Sequence, residues 1–223
     1  MAWYNLIMAI RKIPFAIGEN FHVYNRGNSK QIIFCDDYDS EYFTKLMFLA
    51  NGENSFKMYH VGRGNEYDFD RGKPLVNIGA YCLMPNHFHL LLTQSENGSI
   101  SKFMQKLSTG YSMYFNNKYE RTGTLFEGKF KSQHVDDDRY LKYLFSYIHL
   151  NPLKLIDSNW KDKGVKNKAQ ATSFLEDFLF SSYLDYLGKN RKQGKILNSE
   201  SFPSYFSSMD SIKKEIFDWI NLV

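Results

Sequence analysis

The sequence predicts an α+β fold in which a ferredoxin-like βαββαβ split sheet carries one additional helix. Segments that alternate between apolar and polar residues, or that are apolar throughout, are separated by segments with apolar residues at helical spacing. Turn-forming residues lie between these segments. The predicted order is strand, helix, strand, strand, helix, strand, helix, and its first six elements fit the split sheet.

The first half of the predicted sheet consists of a strand, a helix and a β-hairpin. The first strand ends at the Gly27-Asn28 turn, and Asp36-Asp37 supply cap candidates for the helix. Pro85-Asn86 forms the turn of the hairpin. Residues 53–75 are rich in Gly, Asn and charged residues, which predicts a loop. The elements are a strand over residues 21–26, a helix over 39–50, and strands over 76–84 and 87–93.

The second half contains a long helix, a strand and the additional helix. Asp136-Asp137-Asp138 supply cap candidates for the additional helix, and Asn151-Pro152 ends it. We interpret the stretch from Trp3 to Ile17 as a leading strand or an extension. The elements are a helix over residues 99–119, a strand over 130–135, a helix over 139–150 and a short tail helix over 211–222.

The composition limits the kinds of partner. The formal net charge of +4 and the isoelectric point near 8.8 permit a polyanionic partner. Two cysteines, Cys35 and Cys82, are too few for a cysteine zinc site or a disulfide framework, and they favour a cytoplasmic location. No apolar run reaches the roughly 18–20 residues needed to span a bilayer, so we expect no membrane partner.

Two histidines separated by one residue lie on the strand after the hairpin turn. Alternate residues of a strand face the same side, so His87 and His89 project together. Two imidazoles in this arrangement suit one metal ion. The pair is also compatible with histidines whose nitrogens are satisfied by backbone carbonyls, and the spacing alone is a weak indication of a metal site.

The additional helix carries a tyrosine and an asparagine four residues apart. Residues at this spacing share a helix face, so Tyr147 and Asn151 point the same way. A phenol can act as a covalent nucleophile, and an amide oxygen can bind a hard metal ion. In the alternative interpretation, Tyr140, Tyr143 and Tyr147 form an aromatic stripe in the core. The chain has sixteen tyrosines, so spacing cannot choose among them.

Five short motifs follow one another in order along the chain. They are Asn25-Arg26-Gly27-Asn28, Met84-Pro85-Asn86-His87-Phe88-His89-Leu90-Leu91-Leu92, Tyr114-Phe115-Asn116, Gly123-Thr124-Leu125-Phe126-Glu127-Gly128-Lys129-Phe130-Lys131 and Tyr147-Ile148-His149-Leu150-Asn151-Pro152. Together they strongly resemble the REP-associated tyrosine transposases of the HUH endonuclease superfamily. The resemblance extends from about residue 20 to about residue 185, and only the loop over residues 52–74 is longer than this family leads us to expect.

The resemblance implies roles for four residues and a metal ion. His87 and His89 correspond to the paired metal ligands, Tyr147 to the nucleophile, and Asn151 to a third, polar ligand. The metal would be Mg²⁺ or Mn²⁺, since imidazole ligands favour Mn²⁺ and abundance favours Mg²⁺. Residues 1–155 would form the catalytic domain and residues 156–223 a C-terminal extension. The extension carries a basic cluster that fits either a DNA-binding surface or a solvated face: Lys189, Arg191, Lys192 and Lys195.

The resemblance also implies a reaction and a substrate. Tyr147 would attack a phosphorus of single-stranded DNA next to a hairpin, leaving a 5′-phosphotyrosine link and a free 3′-hydroxyl. A 3′-hydroxyl from another strand would reverse the step and join new ends. We expect a monomer or a homodimer. The candidates for phosphate contacts, each also explicable as an ordinary solvated charge, are Arg26, Lys102, Lys106, Arg121, Lys129 and Lys131.

Two other classes of function fit parts of the sequence. A non-catalytic nucleic-acid-binding protein on a ferredoxin-like sheet would stack bases on aromatic side chains, and its histidine pair would have no role. A zinc hydrolase would need a third histidine or a carboxylate. His149 lies about 200° around the helix from Tyr147 and is expected to face away. A covalent adduct with single-stranded DNA would distinguish the transposase from the non-catalytic binding protein. The metal dependence of activity would distinguish it from the zinc hydrolase.

Overall fold

The computed structural model describes residues 14–62, 64–203 and 208–222. The strands are β1 (Asn20–Arg26), β2 (Val76–Met84), β3 (His87–Gln94) and β4 (Lys131–Val135). They form one antiparallel sheet in the order β2-β3-β1-β4. Helix α1 (Asp37–Ala50) connects β1 to β2, α2 (Ser99–Lys118) connects β3 to β4, and α3 (Asp138–Leu150) follows β4. This connectivity confirms the predicted ferredoxin-like βαββαβ sheet with an additional helix.

The ends of the elements agree with the predicted caps. Asp36 accepts a hydrogen bond from the backbone N–H of Asp39 at the start of α1, and Asp137 does the same for Tyr140 at the start of α3. The helix α3 ends at Leu150 as predicted, but the chain continues as a 3-10 turn over Asn151–Leu155. Of the predicted leading strand over residues 3–17, the part up to residue 13 lies outside the described residues.

The two faces of the sheet pack against different helices because side chains alternate along each strand. Phe88 and Leu90 of β3 are buried with α1 and α2 in the main core. Leu91 points to the other side and packs in a separate cluster with α3. His87 and His89 alternate in step with Leu91, so they lie on the side of α3. The same alternation that predicted the strand therefore decides which helix the two histidines meet.

The C-terminal region packs against the free edge of β2 and against α3. It contains α4 (Trp160–Lys163), α5 (Lys168–Asp177), α6 (Tyr183–Tyr186) and α7 (Met209–Leu222), which share a second apolar core with Leu150 and Leu153. Residues 180–182 run along β2, where Leu83 N–H donates to the Phe180 carbonyl and Ser182 N–H donates to the Tyr81 carbonyl. Contacts thus cross residue 155, and the division into two domains stays a prediction. Within the described part of the chain, every helix is too short or too polar to cross a bilayer.

The basic cluster of the extension largely makes internal contacts. Arg191 forms an ion pair with Asp185 and donates to the hydroxyl of Tyr81 at 3.0 Å. Lys192 and Lys195 bind acceptors in the loop between α1 and β2. These three side chains therefore hold the extension against the sheet and the loop, which is a role that neither sequence-based interpretation included.

A buried carboxylate joins α1 to α2. Asp39 accepts hydrogen bonds from the hydroxyls of Tyr114 and Tyr119 and from Lys118 Nζ, each at 2.7 Å, and from the Cys35 N–H at 2.8 Å. Burial raises the pKa of Asp39, but the hydrogen bonds from Lys118 and the two tyrosines lower it, and the resulting pKa is below the ordinary value. The carboxylate is therefore charged and satisfied in the fold.

We expect Asp39→Asn to lower the free energy of unfolding by about 3 kcal/mol at pH 7, because Lys118 and the two tyrosine hydroxyls lose a charged acceptor and Lys118 keeps only the exposed Asp36 as ion-pair partner. A group whose folded-state pKa is lowered stabilises the fold above its unfolded pKa of about 3.9, and this stabilisation is lost as the pH falls through the folded value. The difference in the free energy of unfolding between wild type and variant should therefore become smaller below about pH 4. Denaturant unfolding measures both, with the exposed Asp37→Asn as control, and equal stability at pH 7 would contradict the prediction.

Candidate active site

Three histidines on two adjacent strands meet on the side of the sheet that faces α3. Tyr24 pairs with His89 and Arg26 pairs with His87 across β1 and β3. His22 alternates in step with Tyr24, and its Nε2 is 2.8 Å from His89 Nδ1. The ring centroids of His87 and His89 are 5.0 Å apart. We call the side of the sheet that carries His22, His87 and His89 the histidine face.

Tyr147 of α3 lies over the histidine face. Its ring centroid is 5.6 Å from that of His89 and 6.2 Å from that of His22. The side chain is partly exposed, so the phenol is not sealed in the interior. Tyr147 also stacks on Tyr143 at 5.9 Å, and Tyr143 stacks on Tyr140. The tyrosine stripe therefore exists, and its last member is the one beside the imidazoles.

Burial keeps the three histidines neutral. Burial, assisted by Lys154 and Lys161, lowers the pKa of His87 to about 4. Burial and then Lys161 lower the pKa of His22 to about 3. The pKa of His89 lies well below its ordinary value because of burial, with a further contribution from its two histidine neighbours. A neutral imidazole keeps the lone pair that a metal ion requires.

Hydrogen bonds orient the two predicted ligands. His87 Nδ1 is 2.6 Å from Asn86 Oδ1, and Asn86 Nδ2 donates to the Lys30 carbonyl at 3.2 Å. An amide oxygen only accepts, so His87 carries its proton on Nδ1 and its lone pair on Nε2. His89 uses Nδ1 in its hydrogen bond with His22, which leaves Nε2 for a ligand. Two neutral, oriented imidazoles fit a divalent metal ion.

Asn151 provides a buried acceptor one helical turn after Tyr147. Its Nδ2 donates to the Tyr147 carbonyl at 2.9 Å, and its Oδ1 has no hydrogen-bond partner among the described residues. Such an oxygen is costly unless a cation or a water satisfies it. Imidazole nitrogens and amide oxygens are both ligand types for divalent metal ions. No group of three His, Cys, Asp or Glu side chains within the described ranges could hold a metal ion, so further ligands would come from Asn151, substrate or water.

Two residues of the site were missed in the sequence. His22 lies on the alternating strand β1, and the ferredoxin-like order places β1 next to β3, so this histidine had a usable signal. Lys161 of α4 places its Nζ 3.8 Å from the centroid of the Tyr147 ring. No local pattern predicts Lys161, because its position depends on how the chain turns after α3.

Three of the six predicted phosphate contacts lie at one end of the histidine face or beside it. Arg26 is opposite His87, and Lys131 is opposite Tyr24. Lys129 is exposed just before β4. Arg26 forms an ion pair with Glu127, which a DNA phosphate would have to displace.

The structure does not bring the other three predicted phosphate contacts to the histidine face. Lys102 and Lys106 lie on α2, and α2 packs on the opposite side of the sheet. Lys106 Nζ donates to the Gly52 carbonyl at 2.5 Å. The guanidinium of Arg121 lies 5.5 Å from the Phe115 ring centroid, at the end of the same helix. Their contact with DNA stays a prediction.

His149 faces away from the histidine face, as expected from its angle on the helix. It is fully buried, and its Nε2 is 2.7 Å from Ser182 Oγ. Its ring lies beside those of Tyr183 and Tyr186 in the C-terminal region. It therefore does not supply the third histidine that a zinc hydrolase would need.

Comparison with known proteins finds a matching family and a similar solved structure. The family of IS200-like transposases matches residues 72–151, which include β2, β3, α2, β4 and α3. A solved structure described as the REP-associated tyrosine transposase bound to a REP hairpin is similar, with a TM-score of 0.49 and 12% identity. The similarity covers 83% of this chain and 90% of that chain. A search of curated proteins found no match.

Proposed function

We propose that this chain is a transposase-type endonuclease that cleaves and rejoins single-stranded DNA. Its residues 72–151 match the family of IS200-like transposases, in agreement with the resemblance of its motifs. The observation that supports this function is the convergence of the histidine face and the Tyr147 phenol, whose ring is 5.6 Å from that of His89. The alternative, a non-catalytic nucleic-acid-binding protein, gives no reason for neutral and oriented imidazoles beside a phenol.

In the proposed cleavage step, Tyr147 is the nucleophile. A bond forms between its Oη and phosphorus while the bond from phosphorus to the 3′ oxygen breaks. The phenol loses a proton and the 3′ oxygen gains one, so no proton is consumed overall. The products are a 5′-phosphotyrosine link and a free 3′-hydroxyl. One phosphodiester replaces another, so the step needs no ATP, and a 3′-hydroxyl from another strand can reverse it.

The histidine face would hold the divalent metal ion through Nε2 of His87 and of His89, with Asn151 Oδ1 as a third candidate ligand. A bound ion of this kind supplies Lewis-acid stabilisation of charge on phosphate oxygens. The protein keeps the imidazoles neutral by burial and orients them through hydrogen bonds with Asn86 and His22. It also holds the phenol on a helix packed against the same sheet.

The proposed substrate is a DNA hairpin with an adjacent single strand, which the motif resemblance implies. Arg26, Lys129 and Lys131 are the proposed backbone contacts, because they lie at one end of the histidine face or beside it. Glu127 would give up its ion pair with Arg26 when DNA binds. Such contacts are sensitive to salt, because binding releases counterions from the DNA.

The proposed function is tested by labelling both ends of a hairpin oligonucleotide and incubating it with the protein and Mn²⁺. We expect the fragment with the 3′ label to become attached to the protein on a denaturing gel. The fragment with the 5′ label should be released with an extendable 3′-hydroxyl. Attachment of the 5′-labelled fragment would contradict the proposed polarity. Binding without any adduct, across a panel of hairpins, would favour the non-catalytic alternative.

The hydrogen bond behind His89 gives a prediction for His22. We expect His22→Phe to weaken Mn²⁺ binding by about 10–100-fold, because the His89 ring loses the partner that fixes its orientation and tautomer. Isothermal titration calorimetry measures the affinity. The control is His60→Gln, which changes an exposed loop histidine. Unchanged Mn²⁺ affinity in His22→Phe would show that His22 does not support a metal ligand.

A further inference from the structure

Two lysines that follow α3 lie in the region of Tyr147. Lys154 is in the 3-10 turn after α3, and Lys161 is on α4. The positive charge of Lys154 lowers the pKa of Lys161, so the two amines lie within electrostatic range of each other. Lys161 Nζ is 3.8 Å from the centroid of the Tyr147 ring and 5.6 Å from that of Trp160. One amine therefore lies over the ring of the phenol that we propose as the nucleophile, and a second lies within electrostatic range of the first.

Neither lysine forms an ion pair with a carboxylate within residues 14–62, 64–203 and 208–222, and the neighbouring Asp162 offsets only part of the Lys161 charge. The adjacent Asp162 is exposed. Both lysines are partly buried, and burial together with Lys154 lowers the pKa of Lys161 to about 7. Two like charges at close range are destabilising unless an anion lies between them.

Both lysines also act on the histidine face. Each of them lowers the pKa of His87 and of His89 through its positive charge, after the larger effect of burial. Lys161 does the same to His22. Their charges are therefore close enough to be felt at the imidazoles, and the lysine pair, the phenol and the imidazoles belong to one region of the protein.

We propose that Lys154 and Lys161 form a phosphate-binding pair that holds the scissile phosphate beside Tyr147. This inference rests on the proposed function, because the phosphate it describes is the one that Tyr147 attacks. The ammonium groups contact the non-bridging oxygens and offset the negative charge that develops on them during attack. The bound phosphate in turn supplies the anion that this pair of cations lacks.

The first test compares cleavage rates under single-turnover conditions, with a hairpin on which the wild type forms the adduct. We expect Lys161→Met to lower the rate by about 100-fold and Lys154→Met by at least about 10-fold, with DNA affinity changed much less. Lys161→Arg keeps the charge and should restore most of the rate. The matched control is Lys163→Met, which changes an exposed lysine on the same short helix. Equal rates for wild type and Lys161→Met would overturn the proposal.

A neutral phosphate shows whether the lysines act through charge. A methylphosphonate at the scissile position replaces a charged oxygen with a methyl group. With this substrate, the rate difference between wild type and Lys161→Met should shrink several-fold. A difference that stays the same as with the ordinary phosphate would assign Lys161 a structural role instead.

The second test needs no cleavage. Inorganic phosphate is titrated into the protein while the lysine ε-carbon signals are followed by NMR spectroscopy. We expect saturable shifts of the Lys154 and Lys161 signals in the wild type, and loss of the Lys161 shift in Lys154→Met. If the wild type forms no adduct but binds phosphate here, the proposed function fails and the phosphate site stands. If the adduct forms but the lysine variants change neither rate nor phosphate binding, the function stands and the phosphate site fails.

Discussion

Replacing Tyr147 by phenylalanine is expected to abolish the covalent adduct with single-stranded DNA. The loss should be at least about 10⁴-fold, because the variant lacks the oxygen that bonds to phosphorus. Phenylalanine keeps the ring that packs beside His89 and His22, so the fold and the DNA affinity should be retained. Denaturing gels measure the adduct, and a mobility-shift titration of the same hairpin measures binding.

The matched control for this experiment is Tyr143→Phe, one helical turn earlier. The Tyr143 ring stacks on that of Tyr147 at 5.9 Å and contacts Trp219 of α7 at 5.1 Å, so the two variants probe the same stripe. We expect Tyr143→Phe to form the adduct at a rate close to that of the wild type. If Tyr147→Phe forms the adduct normally and Tyr143→Phe does not, the nucleophile has been assigned to the wrong tyrosine.

Replacing His87 or His89 by alanine is expected to reduce metal-dependent cleavage by about 10³-fold. Each variant removes one of the two neutral imidazoles whose Nε2 atoms are available to the metal ion. Mn²⁺ binding measured by calorimetry should fall in parallel. Because the two ligands act as a unit, the double variant should lose little more activity than either single variant.

The control for the ligand variants is His134→Gln. His134 belongs to β4 of the same sheet, but it alternates in step with the opposite side, where it lies near Phe21 and contacts Glu19. It should leave Mn²⁺ affinity and cleavage unchanged. A His87→Ala variant that keeps Mn²⁺-dependent cleavage would remove the histidine pair from the metal site.

Local patterns were enough to predict the fold. Strand alternation, the Pro85-Asn86 turn and the acidic caps are features of neighbouring residues, and they placed the sheet and its three main helices close to their observed positions. The same alternation put His87 and His89 on one side of β3. It did not decide which helix covers which side, so the predicted phosphate contacts Lys102 and Lys106 were not separated from the histidine face. The structure places α2 on the opposite side, against Phe88 and Leu90.

The rest of the candidate site depends on how distant segments pack. Lys161 reaches Tyr147 only because the chain reverses after the 3-10 turn and returns over α3. Arg191 belongs to a basic cluster in the sequence, yet its charge is paired with Asp185 beneath the edge of β2. The positions of charged residues in the sequence do not show which cations form ion pairs in the fold and which do not.

The segment over residues 180–182 has a consequence for self-association. It forms hydrogen bonds with the outward main-chain groups of Tyr81 and Leu83, so β2 is not an unpaired edge strand. An unpaired edge strand presents free N–H and C=O groups with which strands of other molecules can pair. A protein shortened to its first 155 residues would expose the edge of β2, and we expect it to associate by strand pairing between molecules. The C-terminal extension thus covers an edge of the sheet that would otherwise be open to pairing with other molecules.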